Sequence, residues 1–182
     1  VADQGFLLGE HGWYDKRWMY EECLKTPLLV RWPGVTEAGQ VNRDIVSNLD
    51  FAPMFLDLAG ARIPSDMQGS SIVPILKGDT PESWRKNFYY QHHGEPRNDY
   101  YYHGVPPHDG VTNGRYKLIH YKYDDVDEWE LYDRKKDRNE MRNVYNDPEY
   151  SDVVTDLTTK LKELRIKYKD SKELDQKYID QY

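Results

Sequence analysis

The run Asp3-Gln4-Gly5-Phe6-Leu7-Leu8-Gly9-Glu10-His11-Gly12-Trp13-Tyr14-Asp15-Lys16-Arg17 packs oxygen donors, an imidazole and an ammonium into one glycine-interrupted segment. The Asp3 carboxylate and the Gln4 amide present hard oxygens of the kind Ca2+ or Mg2+ prefers, while His11 and Lys16 supply positive donors suited to a tetrahedral oxyanion. Together they read as half of an anion-handling metal site. Calcium takes about six to eight oxygens, so two side chains cannot complete its shell and the remaining ligands must come from elsewhere.

With Trp18-Met19-Tyr20-Glu21-Glu22 and Pro27-Leu28-Leu29-Val30-Arg31-Trp32-Pro33-Gly34 following, the run closely resembles the second half of the type I sulfatases of the alkaline-phosphatase superfamily, with several motifs in family order. The resemblance makes Asp3 and Gln4 metal ligands. Family members commonly carry Asn or His at the second position, so Gln4 keeps an amide oxygen but adds a methylene that alters the ligand geometry. Lys16, in the Asp-Lys-Arg-x-x-Tyr-Glu stretch, matches the lysine that binds the sulfate group, where an ammonium stabilises charge developing toward the leaving oxygen. His11 matches a position that lines the same pocket as sulfate donor or general acid; a turn histidine bonded to backbone is the alternative. Asp15 is either an acceptor for sugar hydroxyls, or a structural partner to Arg17 or a helix-entry cap. Farther along, His108 before Asp109-Gly110-Val111 matches a His-x-Gly-Val element facing the active-site mouth, and His103 is a weaker substrate-binding candidate. His92, His93 and His120 read as structural.

The same resemblance implies a formylglycine nucleophile made from Cys or Ser in a C/S-x-P/A-x-R motif, with an Asp-Asp pair completing the metal shell. Neither is present in this sequence. The single cysteine, Cys23, sits in Glu22-Cys23-Leu24-Lys25-Thr26, lacks the Pro and Arg of that motif, and reads as an inert packed thiol. The chain is therefore expected to be the C-terminal portion of a larger sulfatase, inactive alone, whose Ca2+ and nucleophile are completed by the N-terminal part of the same protein in a periplasmic or secreted enzyme. The Trp13-to-Arg17 version looks most like bacterial exo-acting glycan sulfatases, which points to a sulfated sugar, with N-acetylglucosamine 6-sulfate preferred. A phosphodiesterase or phosphonate hydrolase on the same metal scaffold is one rival. A non-catalytic carbohydrate-binding or structural module is another.

Composition sets outer bounds. A formal net charge of −7 over 182 residues argues against nucleic acid as a partner, and requires any sulfated ligand to be held by a local positive pocket. No apolar run approaches the ~20 residues that span a bilayer. Sixteen tyrosines and five tryptophans supply an aromatic interior or binding surface.

The resemblance implies that the loop is positioned by an α/β alkaline-phosphatase-like sulfatase fold, in its C-terminal part, with a small antiparallel sheet packed on a C-terminal helix. A short helix is expected over 19–25, strands over 28–32 and 41–46, and a helix capped from Ser47, Asn48 or Asp50 that ends at Gly60. Another short helix starts at Ser70-Ser71 and runs to Leu76. A strand at 88–90 precedes a long loop over 91–109. A three-strand meander follows, over 110–112, 116–121 and 129–132, with Asn113-Gly114 as its first turn. The acidic cluster Asp124, Asp125, Asp127 and Glu128 lacks EF-hand spacing and reads as a solvated hairpin turn. Asp147-Pro148 opens a last helix whose Val154, Leu157, Leu161, Leu164 and Tyr168 share one face. The expected domains are 1–83, part of the catalytic domain, 84–170, a C-terminal subdomain, and 171–182, a polar tail.

Overall fold

The computed structural model describes residues 2–94, 105–123 and 126–179. It forms two compact units: Pro27–Lys86, and Ala2–Thr26 together with the described residues from Asn87 onward. The helices are α1 (Glu21–Leu24), α2 (Phe51–Leu58), α3 (Val73–Leu76), α4 (Ser151–Lys167) and α5 (Lys172–Ile179).

The larger unit is built on a four-stranded antiparallel sheet of β1 (Phe88–His92), β2 (His108–Thr112), β3 (Tyr116–Tyr123) and β4 (Val126–Asp133), in the order β1-β2-β3-β4. The strand expected at 88–90 thus joins the meander as its edge. Asp127 and Glu128, expected in a turn, lie in β4, and Asp124 and Asp125 lie outside the described residues. Gly114, at φ 88°, makes the expected turn, with Asn113 N donating to Tyr116 O at 3.1 Å.

Side chains alternate cleanly across this sheet because successive residues of a strand point to opposite faces. Val111, Leu118 and Leu131 pack with Leu157 and Leu161 of α4 on one face. Ile119, Tyr121 and Tyr132 pack on the other with Leu7, Trp18, Met19, Tyr20 and Cys23. The expected apolar stripe of α4 is therefore a sheet-covering face, and the N-terminal segment is the opposite cover. A side chain on Gly110 would run into the Leu118 carbonyl and the Met19 thioether, so the glycine is what lets Met19 seat against β2.

Charged residues lock both covers. Lys117, fully buried on β3, forms ion pairs with Glu140 at 2.7 Å and Glu21 of α1 at 3.2 Å, and Arg134 reaches the same two carboxylates. Glu140 also accepts from the Glu21 backbone N at 2.9 Å. On the other face, buried Asp109 accepts from Lys122 at 2.7 Å and Arg165 of α4 at 2.6 Å. Both cations also reach Asp175. Asp175 lies in α5, so the segment expected as a polar tail contains a helix tied to the sheet.

In the smaller unit, two of the expected cap candidates, Ser47 and Asp50, act together as a capping box ahead of α2. Asp50 is fully buried and meets Arg85 through both oxygens, at 2.8 and 2.5 Å. Ile72, Ile75 and Trp84 form the core, with Trp84 donating to the Ile45 carbonyl at 2.9 Å. Several expectations fail: residues 28–32 and 41–46 form no strand, α1 is shorter than the 19–25 span, and the loop expected over 91–109 gives up its ends to β1 and β2. Leu29 is 89% exposed and Val41 75% exposed. A strand exists only through its neighbours, and an apolar run specifies burial without naming the strand it pairs with.

The Lys117, Arg134, Glu21 and Glu140 group is charge-balanced, which fixes a stability expectation. Glu140→Ala leaves a buried ammonium short of a partner and should cost ~3–5 kcal/mol. The double change Lys117→Met with Glu140→Leu keeps Arg134 opposite Glu21 and should recover most of that loss, as read from denaturant midpoints.

Candidate functional site

The N-terminal loop is folded back on itself by its own backbone. Gly5 N donates to Cys23 O at 2.7 Å, Leu7 N to Asp15 O at 2.7 Å and Gly9 N to Trp13 O at 3.0 Å. A side chain at Gly5 would sit on the Glu22 carbonyl, so only glycine allows that first contact. The loop tip is a short 3-10 turn over Glu10–Gly12. Its base is anchored where Tyr90 donates to the Arg17 carbonyl at 2.6 Å and Met19 fills the space above Gly110.

This arrangement separates the candidate residues by environment. Asp3 and Gln4 are exposed, with Asp3 Oδ1 accepting from the Gln4 backbone N at 3.0 Å. Their oxygens are of the right chemistry for a hard cation, and among the described residues no further His, Cys, Asp or Glu cluster completes a shell. Lys16 is exposed, and its ammonium makes no ion pair or hydrogen bond among the described residues. Asp15 is buried: Oδ1 accepts from Lys16 N at 2.6 Å and Arg17 N at 2.7 Å, and Oδ2 meets the Arg17 guanidinium at 2.7 Å. Its carboxylate thus fixes the backbone on which Lys16 stands.

His11 occupies left-handed backbone, φ 55° and ψ 11°, an unusual place for a residue with a side chain. Its ring stacks on Tyr20 at 3.9 Å with 8° between planes, and Nε2 lies 3.6 Å from Glu22 Oε2. Under the stack, Tyr20 and Tyr121 donate to Glu130 at 3.3 and 3.2 Å. Burial pushes the Tyr20 phenol up to about 12, reinforced by the Glu130 charge, and burial likewise raises the Glu130 carboxyl against the opposing phenol hydrogen bonds.

His108 takes a different place. It is 1% exposed, with Nδ1 2.8 Å from the Pro106 carbonyl and rings of Trp18, Tyr90, His92 and Tyr121 around it at 5.2–6.2 Å. It is therefore a buried histidine beneath the loop base, its Nε2 without a hydrogen-bond partner among the described residues. Burial pushes its pKa down to about 3. His103 lies outside the described residues. Cys23 is buried and its thiol is pushed up to about 11 by burial, which makes it the inert packed group expected.

Sequence reasoning missed the residues that act behind the loop: Glu22, Glu130 and the Lys117–Glu140 pair. Strand alternation held one signal. Lys117 shares its parity with Ile119 and Tyr121, which points it at the inner face.

A histidine held neutral by burial is a source of acid lability. The unfolded imidazole titrates near 6.5 and the folded one near 3. Between these values the unfolded chain binds the extra proton, so stability falls as pH drops from 7.5 and should be lower by about 2 kcal/mol at pH 5 from this group alone. His108→Gln should flatten that part of the profile, measured as denaturation midpoints at the two pH values.

Comparison with known proteins places the fold and the family. The family described as N-sulphoglucosamine sulphohydrolase, C-terminal, matches residues 9–167. An N-acetylglucosamine-6-O-sulfatase of Bacteroides thetaiotaomicron is 47% identical over 94% of this chain and 30% of its own length. The human N-acetylglucosamine-6-sulfatase is 38% identical over 54% of this chain and 18% of its own. A solved structure in complex with its substrate, D-glucosamine-2-N,6-O-disulfate, superposes with a TM-score of 0.84 at 46% identity, covering 93% of this chain and 34% of that one. A phosphonate monoester hydrolase from Silicibacter pomeroyi superposes with a TM-score of 0.78 at 26% identity, covering 92% and 34%. The chain spans about a third of the length of the first of these relatives. Its fold is that of the alkaline-phosphatase-like sulfatases, and the chain belongs to the sulfatase C-terminal family typified by N-sulphoglucosamine sulphohydrolase.

Proposed function

We propose that this chain is the C-terminal part of a sulfatase that hydrolyses a sulfate monoester on a sulfated glucosamine, with N-acetylglucosamine 6-sulfate the preferred substrate. The observation that supports it is the division of labour within one loop: Asp3, Gln4 and Lys16 stand exposed on a backbone whose base is buried and cross-linked. That combination presents oxygens and an ammonium at fixed positions, as stabilisation of a charged transition state requires. The 47% identity to an N-acetylglucosamine-6-O-sulfatase narrows the sugar.

In this reading Asp3 and Gln4 would hold Ca2+ together with oxygens from the N-terminal part of the protein, which also supplies the formylglycine nucleophile. The cation, when bound, neutralises charge on the sulfate. Lys16 binds a sulfate oxygen and opposes the charge that develops toward the leaving oxygen. Asp15 holds the Lys16 backbone through its hydrogen bonds. His11 is the proton donor to the departing sugar oxygen. His108 supports Trp18 from below, and contact with the sugar is left to exposed groups of the loop such as Trp13 and Tyr14, 43% and 74% exposed. The complete enzyme works in the periplasm or outside the cell, where sulfated glycans are encountered. No helix among the described residues is long and apolar enough to cross a membrane.

Similarity to a phosphonate monoester hydrolase keeps one alternative measurable. The complete enzyme should turn over N-acetylglucosamine 6-sulfate and an aryl sulfate in preference to an aryl phosphonate, while the isolated chain turns over none of them. Lys16→Ala should lower kcat on both sulfates by about 100-fold or more. Asp3→Ala should abolish tight Ca2+ binding in a calorimetric titration. Preference for the phosphonate, or full aryl sulfate turnover by Lys16→Ala, would sink the assignment.

A further inference from the structure

The Lys16 ammonium rides on a flexible four-carbon stem, and misplacing a catalytic group by about 1 Å can cost about 100-fold in rate. What holds the Lys16 backbone therefore matters as much as the ammonium. Leu7 N donates to the Asp15 carbonyl at 2.7 Å, and the Asp15 carboxylate accepts from the backbone N–H groups of Lys16 and Arg17 at 2.6 and 2.7 Å. Each of these bonds joins one part of the loop to another. They give the loop its shape without fixing where it stands on the sheet.

Tyr90 supplies the bond from the sheet. Its hydroxyl donates to the Arg17 carbonyl at 2.6 Å, across 73 positions of sequence. Burial pushes the phenol above its usual range, so the hydroxyl keeps its proton and stays a donor. Tyr90 pairs in register with Gly110, the glycine that receives Met19. Its strand is an edge strand, yet both neighbours, which point the other way, are tied down. Tyr89 donates to Asp170 at 2.5 Å, and Gln91 donates to Asp175 at 2.9 Å. We propose that Tyr90 is a positioning residue for Lys16: through the Arg17 peptide its hydroxyl sets the height of the Lys16 backbone above the sheet, and hence where the ammonium meets the sulfate.

This inference rests on the sulfatase reading and on Lys16 as the sulfate-binding ammonium, and the test separates the three. In the complete enzyme, Tyr90→Phe, which removes a single oxygen, should lower kcat/KM by about 10- to 100-fold. The factor should be the same on N-acetylglucosamine 6-sulfate and on nitrophenyl sulfate, because the sulfate is common to both. Introduced into Lys16→Ala, the same change should cost less than about twofold, since a residue that acts through another has nothing left to act through. Calcium affinity, measured by calorimetry, should stay within about twofold of wild type, because Asp3 and Gln4 precede a separate tie, from Gly5 to Cys23. A hydroxyl that merely holds the loop together would behave otherwise, with Ca2+ binding lost alongside turnover and losses that multiply in the double variant. Either result, or a Tyr90→Phe enzyme that fails to fold or keeps full turnover, would overturn the Tyr90 assignment while leaving the sulfatase reading intact. Full turnover by Lys16→Ala would overturn the Lys16 role and this inference with it. Wild-type turnover of neither sulfate would overturn all three.

Discussion

The N-terminal loop depends on an ion-pair group just beyond its base, which adds to the Tyr90 hydrogen bond and the Met19 contact that anchor it to the sheet. Lys117 has no access to solvent, and its ammonium is tied to Glu140 and to Glu21 at the start of α1. Taking these charges out of water is expensive, and the cost is offset only when each finds its partner in good geometry. Moving the segment that carries Glu21 would leave this charge group short of a partner. Tyr20, Met19 and Trp18 immediately precede it, so their seats under His11, over Gly110 and against His108 follow from the same constraint.

The sheet transmits this order because it is covered on both faces. Lys117, Ile119 and Tyr121 of β3 face the loop, and Leu118 and Lys122 face α4. The two covers use the same device with different residues: Lys117 with its carboxylates on the loop side, Asp109 with Lys122 and Arg165 on the helix side. A loop on an edge or a linker would lack that double support. This one shares its backing with the core.

Much of this was legible in the order of residues. The hairpin turn at Asn113-Gly114, a helix cap at Ser47 and the apolar stripe of α4 are local signals, and each formed as read. The loop itself was legible through residue types, since Asp3, Gln4, His11 and Lys16 sit within one glycine-rich stretch. What sequence reading could not supply was pairing over distance. Residues 28–32 look like a strand by composition, but strandhood lies in hydrogen bonds to another segment. His108 reads as a loop histidine near a mouth, whereas strand register puts it between His92 and Tyr121 and buries it. Glu22 and Glu140 look like ordinary surface acids until the fold brings a partner to each.

Gly110 and Met19 carry a consequence for anyone recombining enzymes of this kind. The absent side chain of one is the seat of the other, so the loop and the second strand share a single piece of molecular volume. They are one module although they are far apart in the chain. A loop transplanted from another member of the family would have to arrive with a strand cut to receive it. A library that varies the loop against a fixed strand would be sampling mostly misfits.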